Sequence, residues 1–229
     1  MLENYIKKIK RKINKLTNRT LDNPFHSERY EKKFYTSYPH WETWSRKVAA
    51  VISEAFEFSS ILDLGCYVGY FIDEFQKKGK EVCGVDGDWV DRNVLLPSVK
   101  DKIILHNLEK PLDLGRKFDI VLSLETAENI YPGTENFFIE NLLRHSKLYI
   151  IFSAARVGQK GGHLNHHRCF HPPSWWASKI EESGAGYLLH ETAKFATMLQ
   201  KSNAPEWYIN NVSVFKISPS RKNFTAFSD

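Results

Sequence analysis

Downstream of Ser59 the chain alternates short apolar runs with longer mixed segments. Runs such as SILDL, EVCGV and FDIVLSL predict strands over 60–64, 81–85, 102–106, 118–124, 147–153, 186–191 and 209–217. The intervening segments carry apolar residues at helical spacing and predict helices over 70–79, 89–96, 134–146 and 173–183. Alternation of this kind is the pattern of an α/β fold with a doubly wound sheet. In such sheets ligands gather beyond the carboxyl ends of the strands, so residues just after each run are site candidates and those at strand starts are not.

Upstream of Ser59 the pattern changes. Leu2, Ile6, Ile9, Ile13 and Leu16 recur at spacings of three and four, which predicts an amphipathic helix over residues 1–20. Residues 21–58 are aromatic and polar, with Pro24, Phe25, His26, Tyr30, Phe34, Tyr35, Tyr38, Trp41 and Trp44; this stretch reads as a cap or lid, helical from about Trp41 to Phe56. The expected organisation is a helical extension, this cap, a single domain over 59–218 and a tail over 219–229.

Charge sharpens that division. Lys7, Lys8, Lys10, Arg11, Lys12, Lys15 and Arg19 face Glu3 alone in the first 20 residues, whereas the remainder holds 25 basic and 26 acidic residues. The basic character therefore belongs to the extension, and a nucleic-acid-binding surface on the domain is not expected. A basic amphipathic helix can lie on an anionic membrane surface or dock on a partner, and the same pattern also serves a helix packed on its own domain. At 229 residues and 42% apolar content the chain can bury one sizeable core. Its longest apolar stretch, LYIIFSAA from Leu148, is far short of the ~20 residues that span a bilayer. Cys66, Cys83 and Cys169 show no CxxC pairing. These features, with no secretory leader in evidence, predict a cytoplasmic protein, with peripheral contact at the inner membrane face open through residues 1–20.

The chemistry concentrates at strand ends. ILDLGCYVGYF, from Ile61 to Phe71, ends a predicted strand in Asp63 and a glycine loop, but a dinucleotide GxGxxG fails, because Tyr67 and Tyr70 follow Gly65 in that spacing. A nicotinamide enzyme is thereby disfavoured. The second strand ends at Asp86, where a carboxylate can accept both hydrogen bonds of a ribose diol. Ser123, Leu124 and Glu125 fall at the exit of the fourth strand, and Glu128 lies three residues beyond Glu125, so both acids could face one site. Asp119, at that strand's start, reads as structural. The segment after the fifth strand, SAARVGQKGGHLNHHRCFHPPSWW, carries Gly158, Gly161 and Gly162 and crowds His163, His166, His167 and His171. These histidines and Cys169 are metal-type donors, but the tight spacing lacks two separated ligand pairs, and no metal is expected.

Taken in order, ILDLGCYVGYF, VCGVDGD, HNLEKPL and FDIVLSLETAENI resemble the class I S-adenosylmethionine-dependent methyltransferases over about Ser59 to Phe152. The resemblance implies a Rossmann-like seven-stranded sheet with an antiparallel last strand and S-adenosylmethionine as cofactor. By position it implies that Asp63, Gly65, Cys66, Tyr67 and Gly69 surround the methionine part of the cofactor. Asp86 would hold the ribose, Gly87 with Asp88 and Trp89 would flank the adenine, and Asn107 and Leu108 would lie at the adenine edge. Glu125 would face the donor methyl. The GGHLN segment further resembles a GxGHxN loop in a glycan-associated subset, often followed by an aromatic pair like Trp175 and Trp176. That resemblance implies O-methylation of a sugar hydroxyl, with Tyr67, Tyr131, Trp175 and Trp176 as ring-facing candidates. His163 is then the candidate general base, with Asn165 orienting it or the acceptor, and Glu125 the alternative base. A small-molecule N- or O-methyltransferase and a non-catalytic binding protein of the same fold remain the competing readings.

Overall fold

The computed structural model describes residues 39–159 and 167–218. The first helix, α1 (Pro39–Ala55), buries Ser45, Val48, Ala49 and Ile52 at three- and four-residue spacing. It is followed by β1 (Ser60–Leu64), α2 (Tyr70–Lys77), β2 (Glu81–Asp86), β3 (Ile103–Leu105), β4 (Phe118–Leu124), α3 (Glu135–His145) and β5 (Ser146–Ser153). The second stretch holds α4 (Pro173–Glu182), β6 (Ala185–Tyr187), α5 (Leu189–Lys201), α6 (Glu206–Asn211) and β7 (Ser213–Ile217).

The seven strands form one sheet in the order β3-β2-β1-β4-β5-β7-β6. β1 to β5 run parallel, and β7 runs antiparallel to both β5 and β6. Successive strand residues point to opposite faces, and here both faces are covered, so the strands are mostly apolar and do not alternate. Ile61, Ile120, Leu122, Ile151 and Val214 pack with α1, α2 and α5. Leu62, Val121, Ile150, Phe152 and Phe215 pack with Phe138, Leu142, Trp176 and Ile180 of α3 and α4. α1 is therefore a layer of the core and not only a cover.

Register places the site. Asp63 pairs with Gly84 and Leu122, Asp86 with Leu105, and Leu124 with Ser153, which brings the exits of β1, β2, β4 and β5 to one edge of the sheet. At the opposite end Asp119 does structural work: its Oδ2 accepts from Ser59 N at 2.8 Å and Ser60 N at 3.2 Å, while Lys147 Nζ lies 3.0 Å from Oδ1. These bonds tie the starts of β1, β4 and β5 together.

Three expectations need correction. The strand predicted over 186–191 ends at Tyr187, and α5 starts two residues later, because Thr192, Phe195 and Leu199 form a buried helical stripe. The strand predicted over 209–217 begins only at Ser213; the preceding residues belong to α6, which starts after Pro205. The helix predicted over 89–96 is reduced to a single 3-10 turn, Arg92–Val94, with the Asp91 side chain accepting from Asn93 N at 2.9 Å. Pro97 removes a backbone donor and disfavours helical geometry at Leu96, so the turn cannot propagate.

Candidate active site

The loop from β1 into α2 is built on two glycines. Gly65 has φ +89°, and a Cβ there would fall 2.1 Å from Thr126 Oγ1, so both conformation and space demand glycine. Gly65 N and Cys66 N both donate to Val85 O, at 2.8 and 3.1 Å, which fastens the loop to β2. Gly69, with φ +102°, delivers the chain to the start of α2.

Tyr67 occupies the left-handed region as well, at φ +54°. Its backbone N–H donates to Asp86 Oδ2 at 2.6 Å, and its ring meets Trp41 of α1 at 5.2 Å between centroids. A left-handed tyrosine costs roughly 1 kcal/mol, and an aromatic pair returns roughly 0.5 to 1.5 kcal/mol. The two effects nearly cancel, and the loop's contact with Asp86 is through backbone. Tyr67→Gly is therefore expected to keep S-adenosylhomocysteine binding within a few-fold by calorimetry; complete loss would show that the ring itself holds the loop.

Asp86 sits at the exit of β2 with its carboxylate facing that loop. Oδ1 accepts from Gly87 N at 2.7 Å and Oδ2 from Tyr67 N, yet each oxygen keeps a further lone pair. Burial pushes the carboxyl up to about 6, against the two backbone hydrogen bonds that lower it. Asp63 is buried on β1, with Oδ2 lacking a partner; burial and the nearby Asp86 hold its carboxyl well above the ordinary range. The Trp89 indole covers Gly87 so closely that a Cβ there would lie 2.2 Å from the ring, while Asp88 is exposed.

Other candidates have partners of their own. Leu108 and Cys66 are buried in the two cores, with Cys66 Sγ against Gly84. Asn107 Oδ1 accepts from Glu109 N at 2.9 Å, closing its own turn. Ser123 Oγ donates to Leu64 O at 2.7 Å and binds β4 to β1. Trp176 is not available to an acceptor: it is 1% exposed and packs on Phe152. Trp175 remains half-buried, stacked on His171 at 3.6 Å, and Arg168 lies over the Tyr131 ring at 4.0 Å.

The β4 exit gathers acids. Glu125, at φ +53°, takes its backbone bond from N–H to Ser153 O at 3.0 Å; its carboxylate accepts from Gln159 Nε2 at 2.7 Å and Asn211 Nδ2 at 3.2 Å. Glu128 is 2% exposed, with Oε2 lacking a partner. Burial raises both carboxyls, and for Glu128 the proximity of Glu125 raises it further. His167 Nε2 lies 3.8 Å from Glu128 Oε1, and burial lowers its proton affinity. Tyr208 of α6 is buried within reach of the charges of Glu125, Asp63 and Glu128. The region thus brings Asp63, Glu125 and Glu128 together, and Asp86 joins it through Asp63. His163, Asn165 and His166 lie outside the described residues.

Sequence reasoning missed Gln159, Asn211, Tyr208 and the pairing of His167 with Glu128. Asn211 meets Glu125 across 86 positions, and the sequence pattern puts it in a strand where the structure has α6, so no local signal points to it.

The strand order, the reversed β7 and the acids at successive strand exits define the fold of class I S-adenosylmethionine-dependent methyltransferases. The chain belongs to the family described as the methyltransferase domain, whose model matches residues 5–200. Over 92 residues it is 33% identical to the mitochondrial ubiquinone biosynthesis O-methyltransferase of Arabidopsis thaliana, covering 36% of this chain and 28% of that protein. This chain thus spans under a third of that relative's length. DesVI of Streptomyces venezuelae superposes with a TM-score of 0.55 at 13% identity, over 84% of this chain and 98% of its own. A TehB-like S-adenosylmethionine-dependent methyltransferase from Corynebacterium glutamicum gives 0.54 at 17%, over 86% and 100%. The glycopeptide N-methyltransferase MtfA in complex with S-adenosylhomocysteine gives 0.53 at 11%, over 76% and 90%. The domain is that of an S-adenosylmethionine-dependent methyltransferase. Its residues suit the cofactor: the orphaned Asp63 oxygen awaits a cationic or donor partner, and the Gly65 turn leaves no room for a side chain of its own. Among the described residues no helix is long and apolar enough to cross a membrane.

Proposed function

We propose that this protein transfers the methyl group of S-adenosylmethionine to a hydroxyl oxygen, with a saccharide as the acceptor. The observation that carries the reading is the pair at the β4 exit, half-buried Glu125 and buried Glu128, both with raised proton affinity. An amine acceptor arrives with its own lone pair once deprotonated, whereas a hydroxyl must lose its proton as the new bond forms, and a carboxylate of raised affinity can receive it.

In this reading Asp63 binds the cofactor's ammonium and Asp86 its ribose diol, while Gly87, Asp88 and Trp89 flank the adenine. The cofactor, when bound, supplies an electrophilic sulfonium methyl. The chain's own part is alignment and proton transfer: Glu125, oriented by Gln159 and Asn211, receives the hydroxyl proton at a carboxylate oxygen. His163, with Asn165 two residues on, is the competing base, and its imidazole suits neutral pH. The acceptor class rests on the GGHLN segment, with Tyr131 and Trp175 as rings able to face a sugar. The basic and apolar pattern of residues 1–20, which lie outside the described residues, would suit a membrane surface or a partner.

The test is transfer from methyl-labelled cofactor to a panel of saccharides, amines and small phenols, with the product methyl located by NMR. An O-methyl sugar is the expected product. Labelling confined to nitrogen, or to non-sugar acceptors, would overturn the acceptor assignment while leaving the fold intact.

A further inference from the structure

Outside the carboxylate pair, a second cluster joins two distant parts of the chain. Glu135 opens α3, and Cys169 and His171 precede α4. Their donor atoms, one carboxylate oxygen, one sulfur and one imidazole nitrogen, all lie within 4.8 Å of one another. Read from sequence alone, Cys169 and His171 lacked a separated partner; Glu135 supplies it from 34 positions away.

The spacing suits a tetrahedral ion. Zinc bonds of about 2.0 to 2.2 Å to oxygen and nitrogen and about 2.3 Å to sulfur put the edges of a tetrahedron near 3.3 Å for O···N and 3.5 Å for O···S. His171 Nε2 lies 3.2 Å from Glu135 Oε1, and Cys169 Sγ lies 3.4 Å from the same oxygen. The outer groups are also fixed. Glu135 Oε2 accepts from Gly133 N at 2.6 Å, and the His171 ring is held by stacking on Trp175 at 3.6 Å with an interplanar angle of 10°. Such partners orient ligands before a metal arrives. Cys169 is buried while Glu135 and His171 are partly open, so an ion could enter from one side and keep a water as fourth ligand.

We propose that Glu135, Cys169 and His171 bind one zinc ion that pins the segment before α4 to the start of α3. On binding, the Sγ–H bond breaks and an Sγ–Zn bond forms, the proton leaves to solvent, and no oxidation state changes. The consequence reaches the acids of the site. Arg168 N and Cys169 N donate to Glu128 O at 2.7 and 3.0 Å, so the ion fixes the backbone that carries His167 beside Glu128. This inference stands independently of the acceptor assignment.

The experiment uses untagged full-length protein loaded with zinc or cobalt and then desalted. Mass spectrometry of the metal should give about one ion per chain, and cobalt should show a thiolate charge-transfer band in the near ultraviolet. Cys169→Ser and Glu135→Gln should each lower metal retention by about tenfold or more and erase the band, while S-adenosylhomocysteine binding persists. Failure of the wild-type protein to retain either ion, a cobalt complex without the thiolate band, or retention unchanged in both variants would each overturn the site.

Discussion

Asp86→Asn is expected to weaken S-adenosylhomocysteine binding by roughly 10- to 100-fold at neutral pH, the loss of one charge-assisted hydrogen bond worth about 1.5 to 3 kcal/mol. The amide keeps one acceptor oxygen where the carboxylate offers two, so it cannot serve Tyr67 N, Gly87 N and a ribose diol together. The wild-type protein should also reveal the group through pH. Burial pushes the Asp86 carboxyl up to about 6, and only its ionised form accepts both ribose hydroxyls, so affinity should rise through that value and level off above it. Below it the expected slope is about tenfold per pH unit. The sign for the free protein is opposite. A carboxyl whose folded value exceeds its unfolded 3.8 stabilises the fold fully below 3.8, and that stability fades as pH rises to about 6, by up to ~3 kcal/mol. Calorimetric titration from pH 5 to pH 8 checks the first effect, and flat affinity across that range in both proteins would remove Asp86 from the site.

The placement of Asp63, Gly65, Gly69 and Asp86 around the exits of β1 and β2 was legible in sequence, because the end of a short apolar run is a local property. In doubly wound sheets ligands gather at strand exits, so finding the strand was nearly finding the candidate. Trp176 misled for the opposite reason. A side chain's partner is not local, and Trp176 found Phe152 in the core. The C-terminal third was misread where the period changes within a few residues. Tyr187 ends a strand and Leu189 begins a helix, and the apolar character of both hides the join. The strand predicted over 209–217 separately hid the end of α6, and with it Asn211, while Tyr208 fell in no predicted element. The link from Glu125 to Gln159 and Asn211 exists only once the sheet has brought 34- and 86-residue separations to contact.

Glu125→Gln is expected to lower the methyl-transfer rate by about 10²- to 10⁴-fold, the usual contribution of a positioned general base. Cofactor affinity should change by no more than a few-fold, because Asp63 and Asp86 remain. Folding should not suffer. A half-buried acid with raised proton affinity is disfavoured when ionised, and a neutral amide beside Glu128 removes that cost, so thermal stability at neutral pH should hold or rise. Single-turnover transfer, calorimetry and a thermal melt on the same preparation separate these effects. If His163→Ala alone abolishes transfer and Glu125→Gln leaves it near the original rate, the base is the imidazole. The two acids should titrate as a pair, so the acid limb of the rate profile should lie above the ordinary carboxylate range in the wild-type protein and shift downward in Glu125→Gln, where the remaining acid has lost its charged neighbour.

The most direct measurement is a crystal structure with S-adenosylhomocysteine bound. The ribose diol should lie within hydrogen-bond distance of Asp86, about 2.5 to 3.0 Å, with the amino group at Asp63 and the sulfur turned toward Glu125 and Glu128. A cofactor seated away from Asp63 and Asp86, or with its sulfur facing away from the two glutamates, would contradict the account.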